Sequence, residues 1–264
     1  MSPTTVGTSA TFVSRHPIFT FAILPLFALL LVLGGIAYWA ISGCALGEGE
    51  SAVTTCSQIV DVLDSAGANS DWWVWRRGVA YAMVQQNAAA ISDFDRAIRD
   101  NPKNAAAYTA RGTSRMAEHD FRHALDDFNI ALQLDPNPET SANLEERCRV
   151  RTALNTQLEQ ALADCNRALG IWRSGKCLFG CGFEPASLLL ARGFVYFRQA
   201  RFEEADRDFD AALRWNPNLA AALYARGLAE ARLGDKAHSE SDLVKARARW
   251  HSIGNDLAPF VGQQ

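Results

Sequence analysis

The apolar and polar positions of this chain fall into two regimes. From Ile18 to Ile41 no charged residue interrupts 24 consecutive positions. From Asp71 onward, apolar residues return every three or four positions in short blocks separated by polar turns, the period of helices that bury one stripe. The blocks themselves repeat. Arg77-Gly78 and Arg111-Gly112 are 34 residues apart, as are Arg192-Gly193 and Arg226-Gly227, and so are Pro102 and Pro136. A 34-residue period with a small residue in one helix, an Ala and an aromatic in the next, and a closing Pro predicts an all-α solenoid of stacked helical hairpins.

Taken in order, the first unit spans 71–104, with Val74, Gly78 and Tyr81 followed by Ala90, Phe94, Ala97 and Pro102. The second, 105–138, places Tyr108, Gly112, Ala124, Phe128, Ala131 and Pro136 in the same slots. The third, 141–169, is degenerate: Cys148 stands where the others have Gly, Cys165 where they have the aromatic, and one residue is added in the turn. An insertion, 170–185, follows it, rich in Gly but carrying Trp172, Phe179 and Phe183, and is expected to lie against a neighbouring surface. The fourth unit, 186–219, and the fifth, 220–252, resume the pattern, with Ser239 and His251 in the Ala and Pro slots of the last. A tail, 253–264, carries Leu257, Pro259, Phe260 and Val261, enough to cover part of the exposed end of the stack but too short for another hairpin. Charges share the register: Arg77, Arg111, Arg147, Arg192 and Arg226 recur in the first helices, and Asp93, Asp127, Asp164, Asp208 and Asp242 in the second. Their spacing predicts an Arg–carboxylate contact within or between hairpins, with a solvated charge pattern of little energetic weight as the alternative.

The front of the chain calls for a different environment. A stretch of 24 uncharged residues is long enough, at about 1.5 Å per residue, to cross roughly 30 Å of hydrocarbon, so 18–41 is expected to be a transmembrane helix. Arg15 and His16 precede it and Glu48, Glu50 and Asp61 follow it, which predicts a short cytoplasmic segment, 1–17, and a solenoid on the far side. A cleaved leader and a lipidated Cys44, in the lipobox-like Ile41-Ser42-Gly43-Cys44, are the alternatives. Residues 42–70 read as a linker with a short helix, Ser57 to Leu63.

Six cysteines suit an oxidising compartment, where an even number can pair. Cys148 and Cys165 face each other across the third hairpin, so a bridge is feasible if their Cα atoms come within about 7 Å; two separate buried thiols are the alternative. Cys177 and Cys181 read as a second disulfide pair or inert thiols. As half of a zinc site they would need two more ligands, and the five histidines supply no matching cluster. The net charge of -3, with both signs mixed along the chain, excludes a general affinity for nucleic acid. His119 and His123 are four apart without the acid of a HExxH motif. There is no P-loop, dinucleotide fingerprint or nucleophile elbow, so no enzyme, cofactor or metal site is expected.

On these Arg-Gly openings, Ala-x-x-Asp-Phe runs and Asn-Pro or Asp-Pro endings, the chain resembles bacterial members of the tetratricopeptide repeat family over about Asp71 to Ser252. The resemblance implies a right-handed superhelix of helical hairpins whose concave face, lined by the first helices, binds proteins or peptides. On that arrangement the partner-binding residues are Trp72, Trp75 and Met83 from the first unit, Leu190, Phe194 and Phe197 from the fourth, and Tyr224 and Leu228 from the fifth. Together they would form one aromatic groove with rigid anchors; cover by the insertion, the tail or the helix before Asp71 is the alternative. The Lys and Asn set with which some members clamp a terminal carboxylate does not occur at these places. With the apolar front, the expectation is a single-pass protein of a bacterial inner membrane with a periplasmic scaffold domain. A structural or self-associating envelope component without an open groove is the alternative.

Overall fold

The computed structural model describes residues 43–44, 49–135, 141–175 and 185–262. Helix α1 (Gly49–Ser65) leads into hairpins formed by α2 (Asp71–Met83) with α3 (Asn87–Asp100), α4 (Ala105–Ala117) with α5 (Phe121–Leu134), α6 (Ser141–Ala153) with α7 (Leu158–Arg173), α8 (Pro185–Arg198) with α9 (Phe202–Trp215) and α10 (Ala220–Leu233) with α11 (Lys236–Arg249). Helix α12 (Ile253–Val261) ends the description. Each second helix also packs on the first helix of the following hairpin, which makes the stack a continuous solenoid.

Local chemistry sets the boundaries. Asn104, Asp120 and Asp235 accept backbone N–H groups at the starts of α4, α5 and α11, which satisfies donors the helices cannot. Two of these caps are reinforced by an imidazole three residues on, His123 on Asp120 and His238 on Asp235. The turn inside each hairpin passes through the left-handed region, at Gln85, at His119, at both Asn155 and Gln157, at Ala200 and at Gly234; of these only Gly234 is the residue type that adopts this conformation freely. His119 and His123 therefore belong to a turn and a cap. At the other end of the units, Asn101 and Asn216 accept from the backbone two residues on, closing α3 and α9 where Pro102 and Pro217 forbid another helical hydrogen bond.

Within a hairpin the two helices meet at the Gly slot. A Cβ at Gly193 would stand 2.5 Å from the Phe209 ring, and one at Gly78 would stand 2.7 Å from Phe94. Phe94, Phe128 and Phe209 are fully buried, so the small residue and the ring form one packing unit. In the third hairpin this unit is replaced by a covalent one. Cys148 and Cys165, in the Gly and Phe slots, are joined in a disulfide with their Cα atoms 5.7 Å apart.

The repeated charges form a ladder. Arg77, Arg111, Arg147, Arg192 and Arg226 donate from Nε to Asp93, Asp127, Asp164, Asp208 and Asp242 of their own hairpin at 2.7–3.1 Å. Four of them also reach back to the preceding unit, to Asp95, Asn129, Asn166 and Asp210 in turn. The carboxylates are nearly buried, Asp127 at 1% exposure between Arg111 and Arg115. Removing one partner of such a pair would strand the other, at a cost of about 3 kcal/mol or more.

Helix α1 continues this pattern backwards. It packs on α2 as each second helix packs on the next first helix, with Ala52, Val53, Cys56 and Val60 turned inward. Asp61 lies 16 residues before Arg77, as Asp95 does before Arg111. Hydrogen bonds to Asp93 hold the Arg77 guanidinium above its usual range, and the Asp61 charge adds to them. Cys44 and Cys56 are linked by a disulfide, and Cys44 precedes Gly78 by one period of 34. A longer, integrated helix thus stands where the sequence predicts a linker with a short helix. The β-branched Val53-Thr54-Thr55 and the Gly49 start lower the apparent helix propensity, and burial overrides it.

The expectation of a membrane anchor is corrected. Among the described residues no helix is long and apolar enough to cross a membrane; the longest, α1, has 17 residues and bears Glu50, Asp61 and Asp64, against the roughly 20 apolar residues a span requires. The expected span, 18–41, lies outside the described residues. Transmembrane attachment, membrane partnership and the bacterial inner-membrane location with a periplasmic domain are therefore withdrawn. Cys177 and Cys181 also lie outside the described residues. Of the insertion, 170–173 extends α7, where Trp172 meets Trp215 edge to face at 5.7 Å.

Candidate protein-binding surface

The first helices present one row of side chains three residues before the Gly slot: Trp75, Thr109, Glu145, Leu190 and Tyr224. A second row follows the slot directly: Val79, Thr113, Arg149, Phe194 and Leu228. The two ends of these rows differ in cover. Phe194, Phe197, Tyr224 and Leu228 are only 5–6% exposed. Helix α12 lies on them: it packs against α6, α8 and α10 rather than extending the stack beyond α11.

Phe260 fits beside Phe194, ring centroids 5.2 Å apart, while Phe209 meets the same ring edge to face at 5.6 Å. Ile253, Leu257 and Val261 complete the buried stripe of α12. Gly254 lies where the helix crosses Tyr224, and a Cβ there would sit 3.0 Å from the phenolic oxygen. At the C-terminal end, Arg198 lies against Gly262, where the last helical carbonyls favour a cation, and burial lowers its pKa. The single aromatic groove expected from repeats one, four and five is corrected accordingly: its C-terminal portion is already filled by the chain's own last helix.

Among the described residues the N-terminal portion is uncovered. Trp72 and Met83 are more than half exposed, Trp75 is half-buried, and Trp72 meets Trp73 edge to face at 4.6 Å. A cavity of about 360 Å³ lies between the start of α2, the end of α3 and the start of α4, walled by Trp72, Trp75, Ala97 and Ala106 and rimmed by Asp71, Asn101 and Asn104. Leu190 is half-buried against the closed core. The structure therefore brings Leu190, Phe194, Phe197, Tyr224 and Leu228 together, leaves Trp72 and Trp75 at the separate cavity, and places Met83 exposed at the other end of α2.

The sequence reading holds the tail, with Leu257, Phe260 and Val261, as one alternative cover for the groove; it does not name Ile253 or the helix these residues form. Their i, i+4, i+7, i+8 spacing is a helical stripe, but Pro259 inside it reads as a breaker, and nothing local shows which surface the stripe meets. Asn101 and Asn104 were also missed, because an Asn beside a repeat-ending Pro reads as turn chemistry alone. Among the described residues no group of three or more His, Cys, Asp or Glu side chains could hold a metal ion. Burial, reinforced by Glu146, raises Glu145 on α6; burial, followed by the Asp242 charge, pushes Glu230 up to about 7 on α10, and burial also raises the neighbouring Asp206 on α9.

This geometry defines a tetratricopeptide-like helical solenoid. Residues 186–219 match the tetratricopeptide repeat family. The chain is 26% identical over 184 residues to tetratricopeptide repeat protein 34 of Mus musculus, covering 65% of this chain and 33% of the relative. It is 28% identical over 197 residues to tetratricopeptide repeat protein 34 of Homo sapiens, with coverage of 68% and 34%. It thus spans about a third of the length of these curated relatives.

Solved structures share the fold. PilW, described as a widely conserved type IV pilus biogenesis factor, superposes with a TM-score of 0.59 at 17% identity, covering 73% of this chain and 84% of that one. A tetratricopeptide repeat protein from Parabacteroides merdae gives 0.59 at 16%, covering 81% and 87%. YrrB, described as having an unusual peptide-binding site, gives 0.52 at 18%, covering 75% and 94%. At these identities the likeness is one of fold.

Proposed function

We propose that the protein is a non-catalytic scaffold that holds a protein or peptide partner on the first helices of repeats one and two, with Trp72, Trp75 and Met83 as its anchors. One observation carries the reading. The concave rows are filled by α12 over repeats three to five, whereas Trp72 and Met83, at 51% and 57% exposure, have no such cover among the described residues. Exposed, rigid aromatic side chains beside a cavity are the features that supply binding energy at interfaces. Repeats four and five contribute rigidity: Phe194, Phe197, Tyr224 and Leu228 act there as core.

A photo-crosslinking residue placed at Met83, with Val244 on α11 as an equally exposed control, tests this in the native cell. The expected result is a discrete adduct from position 83 that Trp72→Ala weakens. Equal, diffuse labelling from both positions would count against a binding face.

A further inference from the structure

Helix α12 is held differently from the rest of the stack. Side-chain hydrogen bonds of the arginine ladder join α2 through α11, and Arg96 of α3 holds Asp64 of α1. Around α12 such bonds are local, Trp250 to Ser252 and Ser252 to Asp256. Among the described residues none crosses from it to α6, α8 or α10. Its apolar stripe, Ile253, Leu257, Phe260 and Val261, is what seats it. Off the body such a helix would not persist, because nine residues are fewer than an isolated helix needs and Pro259 withholds a hydrogen bond from within. A short element held by apolar contact belongs to the low-stability end of a structure, so the seat empties while the stack stays folded. Phe194, Phe197, Tyr224 and Leu228 are then core with α12 in place and the floor of a groove when it leaves.

The resident shows that this groove accepts a helix, and it leaves one group of the seat unsatisfied. Arg198, in the last turn of α8, makes no hydrogen bond or ion pair among the described residues. Its Nε is buried without a partner, and burial lowers its pKa with no carboxylate to oppose the shift. Its Nη1 lies 3.1 Å from the point where a Cβ on Gly262 would stand. A side chain at that place on a seated helix therefore meets the end of the guanidinium, which is flexible enough to give way and pair with it. Gly262 supplies none. The last carbonyls of α12 complement the charge only in part, whereas a carboxylate offers it two charge-assisted hydrogen bonds.

We propose that α12 is the displaceable resident of a helix-binding seat, and that the partner replacing it is an amphipathic helix with apolar residues at i, i+4, i+7 and i+8 followed directly by an acidic side chain that pairs with Arg198. The seat is a second surface, separate from the face at Trp72, and is blocked while α12 occupies it. It does not rest on the scaffold reading above, and crosslinking at Met83 neither supports nor removes it.

The first arm of the test needs no substitution. Hydrogen exchange of the full chain across a urea series is expected to show 253–262 opening by itself, about 100-fold more often than α8 or α10. Exchange of all three in one cooperative step overturns the proposal. The second arm uses Leu257→Asp in the full chain, which charges the stripe and unseats α12. The probe is a fluorescein-labelled, amidated peptide of sequence 250–262 carrying Gly262→Glu. It is expected to bind this variant about tenfold or more tighter than the parent, where the tethered α12 competes. It should also bind about fivefold tighter than the peptide carrying Gly262→Lys. Glu is the poorer ending for a helix, so that order is set by the seat, and Arg198→Gln in the same background should abolish it. Equal affinity for parent and variant, or no binding at millimolar peptide, overturns the displaceable resident. Equal affinity for the Glu and Lys peptides overturns the acidic partner. Where Leu257→Asp does not fold, the exchange pattern of the parent still decides whether α12 leaves.

Discussion

The first helices of repeats one and two and those of repeats four and five are built on the same slots, yet they meet opposite fates. In repeat four, the position after the Gly is Phe194, sealed against Phe209 and Phe260. In repeat one the same position is Val79, and its neighbours Trp72 and Met83 face solvent. An aromatic residue on a concave helix is therefore an anchor or a core residue according to whether another part of the chain reaches it, and only the second kind contributes much to folding.

That contrast sets the expected order of effects. Phe194→Ala is expected to behave as a core truncation and cost about 3–5 kcal/mol in urea unfolding; a loss below about 1 kcal/mol would mean that α12 does not pack there in solution. Opening the disulfide between Cys148 and Cys165 by the double serine substitution is expected to cost about 3 kcal/mol, the loop-closure entropy of some seventeen residues. An unchanged midpoint relative to the parent in oxidising buffer would remove that bridge from the closed half.

A smaller effect is expected from Glu230, also in the closed half. Burial, ahead of the Asp242 charge, pushes its pKa from 4.5 up to about 7, so the folded chain keeps a proton that the unfolded chain has released. Its contribution is complete below about pH 4.5 and is lost as pH rises through about 7. Glu230→Gln cannot ionise and should gain on the parent between pH 5 and 8, by on the order of 1 kcal/mol after allowance for solvent screening, or a few degrees in Tm. Parallel Tm profiles for the two proteins would contradict it. Smallest of all, Trp72→Ala in the open half is expected to change stability by no more than about 0.5 kcal/mol while weakening partner capture at Met83. A large loss of stability there would erase the distinction between the halves.

The solenoid was legible because its determinants are local and repeated. Arg77 to Arg111 and Arg192 to Arg226 give the period, and the Gly and Phe slots give the close contact that Gly193 and Phe209 make. Cys148 and Cys165 occupied those two slots, so the repeat register alone placed them across one hairpin. What could not be read were contacts that leave the register. Helix α12 folds back over α6, α8 and α10, and its stripe of Ile253, Leu257, Phe260 and Val261 fits several surfaces equally well. The pairing of Cys44 with Cys56 was hidden by a Gly- and Thr-rich stretch that reads as linker. The apolar run at 18–41, read as a span from its length and hydropathy, lies outside the described residues.

The Arg ladder carries a consequence for the length of this protein. Every arginine after Arg77 takes one partner from its own hairpin and one from the unit before, so the seam between two units is specified half by each. Asp and Asn both serve as the backward partner, which makes the joints interchangeable. A second copy of 105–138 placed after the first would set its Arg111 against Asn129, the same partner that Arg147 uses now, and would pass an identical Asn129 on to Arg147. Such a chain is expected to lengthen by one unit and still unfold in a single transition, as a ruler gains a division without a change of scale.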